Sequence, residues 1–181
     1  MARARASTER LGRPLDLCYT TWPNPFFTDR SLMAGMRRLR EEGLVAEIGV
    51  SGYNDLARWR SAERYLGAPV MICQVIYNLL SRDVEMALLP WAAAKGSLVV
   101  VAQPLATGLL SGAYHRGKRV TAPRRAHDPI YSPGYLERTA ELVGTLGAVA
   151  KAHDATVAQV ALAYVLHHPG HMVTPAERGG T

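Results

Sequence analysis

SLVVVAQPLATGLLSGAY, residues 97–114, decides how the rest of this chain is read. Leu98–Ala102 is a run of five apolar residues with no polar alternation, the pattern of a parallel strand buried on both faces. Pro104 breaks the run. Behind it stand small residues and two glycines, Gly108 and Gly112, where few side chains keep an anion away from backbone N–H groups. A buried strand that empties into such a loop is where α/β proteins hold phosphates, although any tight connection from strand to helix uses the same residues.

Working outward, the neighbours repeat one theme. Upstream, Asp83–Lys95 has helical composition broken at Pro90, so a short turn and then a helix starting at Pro90 are expected, with Gly96 as its cap. Val70–Ile76 reads as a buried strand. Asn54 is the expected N-cap of a helix over Asp55–Leu66 that Gly67 stops. Ala46–Val50 is a strand, and Leu32–Leu44 carries the apolar spacing of an amphipathic helix ending near Gly43. Leu15–Thr20 is a strand that the two prolines of Trp22-Pro23-Asn24-Pro25 terminate. Met1–Gly12 reads as the end of a helix with no visible start, which points to a longer parent chain.

Downstream, His115–Pro133 is polar, basic and broken by three prolines, the composition of a long surface loop. Residues 135–153 repeat apolar side chains at helical spacing. Thr156 and Gln159 form a capping-box pattern ahead of a helix over Val157–His168, and Met172–Thr174 begins a further strand. Strand and helix thus alternate at roughly 25–30 residues per unit, the spacing of β/α repeats. Five strands are readable, whereas a closed (β/α)8 barrel takes eight strands and about 250 residues. The pattern alone fits an open doubly wound sheet or a barrel with three strands missing.

Composition bounds the function. With 181 residues and 48% hydrophobic content, a single domain over residues 1–181 is expected. The 21 Lys+Arg against 15 Asp+Glu give a net charge of +6, but the basic residues cluster only at Arg37, Arg38, Arg40 and over Arg116–Arg125, which reads as solvated surface and not as a nucleic-acid stripe. Cys18 and Cys73 lie in apolar runs and read as buried thiols, favouring a reducing cytoplasm. No run approaches the ~20 apolar residues of a membrane span, and MARARASTER lacks the apolar segment of a secretory signal. A soluble cytoplasmic protein with no membrane partner is expected.

Five stretches in order, DLCYTTWPNP, GLVAEIGVSGYN, APVMICQVIYNLLSRDVE, LLPWAAAKGSLVVVAQPLATGLLSGAY and TVAQVALAYVL, resemble the aldo-keto reductase superfamily in wording and spacing. The resemblance runs from that family's strand four to the start of strand eight. It implies a partial (β/α)8 barrel of about five parallel strands, NADPH or NADH as cofactor, and reduction of a small aldehyde or ketone. It also implies that the family's Tyr, Lys and Asp catalytic residues belong to the part preceding this stretch. Tyr19 is then an inward-facing strand residue and not their replacement.

Residue by residue, the resemblance puts Thr21 where the family has its catalytic histidine; threonine donates a hydrogen bond but cannot act as a charged partner. Ser51 and Gln74 match the clamp on the nicotinamide carboxamide, while Gly52 replaces the family's asparagine. Ala102 replaces the aromatic residue that stacks on the nicotinamide. Leu105, Thr107 and Gly108 match the loop that wraps the pyrophosphate, with Lys118, Arg119, Arg124 and Arg125 on a basic loop able to close over it. Arg178 is the one candidate for the adenosine 2′-phosphate anchor. The family uses no metal, and His167, His168 and His171 are explained by the negative end of a helix dipole. The chain alone is therefore expected to be weak or inactive, completed by a second copy or a complementing chain, or else a non-catalytic nucleotide- or partner-binding barrel fragment.

Overall fold

Among the described residues, five parallel strands form one sheet in sequence order, β1 (Leu15–Tyr19), β2 (Val45–Ser51), β3 (Ile72–Ile76), β4 (Leu98–Ala102) and β5 (Met172–Val173). A doubly wound sheet reverses its strand order at a switch point; an order that advances one strand per β/α unit is the winding of a barrel. The topology therefore selects the partial (β/α)8 barrel over the open alternative. The computed structural model describes residues 2–20, 28–121, 127–168 and 172–173. Its helices are α1 (Ala2–Leu11), α2 (Asp29–Glu41), α3 (Leu56–Leu66), α4 (Leu88–Lys95), α5 (Pro133–Ala152) and α6 (Val157–His167).

The chain divides into two compact units. One comprises Met1–Ile76, Asp83–Ala102 and Pro169–Pro175; the other comprises Tyr77–Arg82, Gln103–His168 and Ala176–Thr181. The first contains the whole sheet with α1–α4. Its core is built from Trp59, Met33, Val75, Val99, Val101 and Leu88, all at most 3% exposed. Trp59 is locked twice: its indole Nε1 donates to Val70 O at 3.1 Å, and its ring meets Trp91 edge-on at 4.9 Å. In the second unit α5 and α6 pack on a short 3₁₀ segment, Ala106–Ser111, around Leu110, Leu146 and Ala161.

Several local expectations shift for identifiable reasons. β4 is not buried on both faces: Val99 and Val101 are buried, but Leu98, Val100 and Ala102 are half-exposed, and β3 alternates likewise. One face of these strands is fully covered, and the other is the face that a closed barrel turns toward its interior. Apolar residues at every position report that second burial, which five strands do not provide. α2 begins three residues before its apolar stripe, because Thr28 accepts the Ser31 N–H at 3.2 Å and caps it. Asp55, not Asn54, caps α3, accepting from Ala57 N at 2.7 Å. Asn54 Oδ1 is spent on Ile76 N, at 3.1 Å, where β3 ends. α4 starts at Leu88, which puts Pro90 in its first turn, where the N–H that proline lacks would have no intrahelical acceptor. The capping box of α6 forms as expected, with Thr156 Oγ1 accepting from Gln159 N at 3.2 Å and Gln159 Oε1 accepting from Thr156 N at 2.7 Å.

Both cysteines are free, but only Cys73 is buried; Cys18 is partly exposed. Burial pushes both thiols up, and Cys73 much further. Because the thiolate is the nucleophile, iodoacetamide at pH 8 is expected to modify Cys18 first and Cys73 only on unfolding. Mass spectrometry of peptides from native and denatured protein reads this directly; equal rates in the native state would contradict the burial. Among the described residues no helix is long and apolar enough to cross a membrane.

Candidate cofactor site

Ser51 ends β2 and Gln74 lies in the middle of β3, and the strand register sets them directly opposite each other. Ser51 Oγ donates to Gln74 Oε1 at 2.8 Å, and Gly52 N donates to Gln74 O at 2.9 Å. Ser51 is buried and Gln74 half-exposed. With its oxygen accepting from serine, the Gln74 carboxamide presents Nε2 as donor, while Ser51 Oγ keeps lone pairs as acceptors. One donor and one acceptor side by side complement a primary carboxamide. The two matched residues are thus brought together as a pair, and the pairing is a consequence of parallel register that residue spacing cannot reveal.

The departures from the family pattern are equally concrete. Gly52 has φ 78, a left-handed turn leaving β2. Ala102 pairs with Ile76 two residues beyond the Gln74–Val100 pair, so it shares the Ser51–Gln74 face but offers only a methyl group there. Tyr19 pairs with Gly49 on the same face. A Cβ at Gly49 would stand 2.7 Å from the Tyr19 ring, so glycine is what allows that ring to lie across β2. Burial raises the Tyr19 phenol, with Cys73 adding to the shift, opposite to what a proton donor at neutral pH requires.

Beyond Ser51, the chain is anchored by three residues that composition does not single out. Tyr53 is fully buried and donates to Asp29 Oδ1 at 2.8 Å, and Arg58 Nη2 reaches the same oxygen at 3.2 Å while its guanidinium lies 4.9 Å from the Tyr53 ring centroid. Burial and the Asp29 carboxylate push the Tyr53 phenol up to about 12. A folded pKa above the unfolded value near 10 means this group's stabilisation is complete below pH 10 and is lost as the pH climbs toward 12. Tyr53→Phe is accordingly expected to flatten the fall in Tm between pH 10 and 12; an unchanged alkaline profile would mean that Tyr53 is not the group responsible.

In the second unit, the stretch after β4 is a strained turn. Gln103, Ala106 and Thr107 have φ 55, 48 and 55, and Gly108 has φ 101. Left-handed backbone costs an L-residue about 1–2 kcal/mol, and Thr107 is β-branched as well. The expected anion-facing role of the glycine N–H groups is not what they do here: Gly108 N donates to Leu105 O and Gly112 N to Leu109 O. Their contribution is the backbone conformation, at φ 101 and 71. Leu105, Thr107 and Gly108 do share this one turn. Asn78 Nδ2 fixes its start by donating to Gln103 O at 2.9 Å.

Tyr114–Arg116 and Pro129–Tyr131 form short 3₁₀ turns, and the Tyr114 and Tyr131 rings lie 4.7 Å apart. Lys118 and Arg119 are exposed, with Lys118 Nζ 5.8 Å from the Tyr114 ring centroid. His168 meets the edge of Tyr77 at 5.8 Å. Among the described residues no cluster of three or more His, Cys, Asp or Glu could hold a metal. Thr21, Arg124, Arg125, His171 and Arg178 lie outside the described residues. Tyr53, Asp29, Arg58 and Tyr131 escape a reading of the sequence, since isolated aromatic and charged residues in loops carry no periodic signal.

The sequence pattern of the Aldo/keto reductase family matches residues 1–176. An uncharacterized oxidoreductase of Mycobacterium tuberculosis is 40% identical over 174 residues, 96% of this chain and 53% of that protein. An aldo-keto reductase of Strobilurus tenacellus is 30% identical over 179 residues, covering 95% of this chain and 52% of that protein. The chain spans about half the length of the curated relatives it matches. Among solved structures, a glycerol dehydrogenase from Gluconobacter oxydans superposes with a TM-score of 0.80 at 23% identity, over 96% of this chain and 52% of that one. A thermostable aldo-keto reductase in complex with epalrestat gives 0.69 at 27% identity, over 97% and 55%. With the family pattern running through residue 176 and the same fold in both solved relatives, the chain belongs to the aldo/keto reductase family.

Proposed function

We propose that this chain contributes the nicotinamide-holding strands of an NAD(P)H-dependent carbonyl reductase that converts small aldehydes or ketones to alcohols. The observation that carries this reading is the Ser51–Gln74 contact of 2.8 Å on adjacent strands. With a nicotinamide bound, Gln74 Nε2 would donate to its carboxamide oxygen and Ser51 Oγ would accept from its NH2 group. By its resemblance to the family's loop, the Leu105–Gly108 turn would hold the pyrophosphate of such a cofactor. A bound reduced nicotinamide supplies hydride to the carbonyl carbon. The proton that completes the alcohol comes from neither Ser51 nor Gln74, which do not ionise near neutral pH, nor from Tyr19, whose phenol is held up by burial. Catalysis is therefore completed by groups outside residues 1–181; β1 and β5, each paired on one side among the described residues, are the edges that further strands would extend. The free thiols support a cytoplasmic setting.

A second reading rests on the same Tyr19 observation: a nucleotide-binding barrel fragment that does not turn over substrate. Both predict binding. Titrating the purified protein with NADPH, and with NADH in parallel, while following reduced-nicotinamide fluorescence is expected to saturate, with light scattering in the same buffer reporting the oligomeric state. Turnover of a simple aldehyde by an assembled species supports the reductase; saturable binding without turnover in every assembly state supports the second reading. No binding at millimolar cofactor overturns both.

A further inference from the structure

We propose that Tyr131 is a positioning residue that holds the left-handed turn at Ala106–Gly108 in its nucleotide-receiving conformation, an inference that rests on the assignment of this turn to the pyrophosphate. Tyr131 OH lies 2.9 Å from Thr107 O, to which it donates, and 2.8 Å from Thr107 Oγ1. Each hydroxyl has one proton. Tyr131 gives its proton to the Thr107 carbonyl, while Thr107 Oγ1–H has two acceptors in reach, the phenol oxygen and Ala106 O, each at 2.8 Å, so the phenol meets both oxygens of a single residue. That residue is the β-branched one of the turn, at φ 55.

The ring of Tyr131 is held in turn. It packs against Tyr114 with centroids 4.7 Å apart, and Tyr114 covers Gly108, where a Cβ would stand 3.4 Å from the ring. Tyr131 follows Asp128, whose carboxylate accepts the Ile130 N–H at 3.1 Å and fixes the 3₁₀ turn carrying the phenol. Both sides of the contact are therefore braced. A residue in an unfavourable backbone region persists only where its surroundings determine it, and the phenol is bonded to both oxygens of that residue.

Tyr131→Phe deletes the hydroxyl and keeps the ring against Tyr114. Hydrogen exchange in the nucleotide-free protein is expected to speed about tenfold at Gly108 and Leu110, the amides that close onto Leu105 O, with α5 and α6 unchanged. The Kd for NADPH is expected to rise by about tenfold. Unchanged exchange overturns the proposal, as does faster exchange with an unchanged Kd. Should the wild-type chain bind no NADPH, the pyrophosphate assignment fails by itself, and exchange still reads whether Tyr131 holds the turn.

Discussion

Trp59→Ala is expected to lower the unfolding free energy by about 3–5 kcal/mol, the largest loss from any single truncation proposed here. Trp59 is completely buried on α3, its indole bonded to Val70 O ahead of β3 and its ring against Trp91 of α4. Truncation removes that apolar surface, opens a cavity and leaves Val70 O without its indole donor, a separate penalty for a buried carbonyl. Trp59→Phe separates the parts, since it keeps most of the volume and drops the hydrogen bond. It should cost about 1–3 kcal/mol. Urea unfolding followed by far-UV circular dichroism measures both. A loss below about 1 kcal/mol for the alanine variant would mean that α3 does not depend on this contact.

Gln74→Ala is expected to weaken NADPH binding by about ten- to a hundredfold, the second large effect. Two consequences combine. The donor to the nicotinamide carboxamide is lost, and Ser51 Oγ, buried at 6% exposure, loses the acceptor that orients it. Ser51→Ala removes only the acceptor side and should cost about tenfold. Gln74→Glu keeps size and the serine bond but cannot donate, so it separates orientation from donation: affinity near that of Gln74→Ala identifies Nε2 as the important group. Thermal melts of each variant control for damage to the sheet. A fall in Tm with an unchanged Kd would assign the pair to strand packing, and the nicotinamide assignment would fall with it.

The local elements of this chain were legible because they are set by neighbours in sequence. Gly67 and Gly96 end α3 and α4 in the left-handed conformation expected of them, and Thr156 with Gln159 builds the α6 capping box. Misreadings arose where a side chain had a better partner far along the chain. Asn54 is chemically as good a cap as Asp55, but β3 claims its oxygen through Ile76 N, which lies 22 residues away. The β4 run reads as a strand buried on both faces since each residue type records the face it is suited to, whether or not that face is covered.

The site divides along the same line. Sequence by itself determined the β/α alternation and the family resemblance, and put Ser51, Gln74, Leu105, Thr107 and Gly108 forward as candidates, because propensity, capping and motif spacing act over a few residues. Only the tertiary structure decided that the strands run in barrel order, that Ser51 and Gln74 share one register pair, and that Tyr131 reaches Thr107. These are contacts between residues of separate elements or of a long loop. Their formation depends on strand register and on how a left-handed turn is braced, both of which are settled by packing across the fold and leave no mark at a fixed spacing.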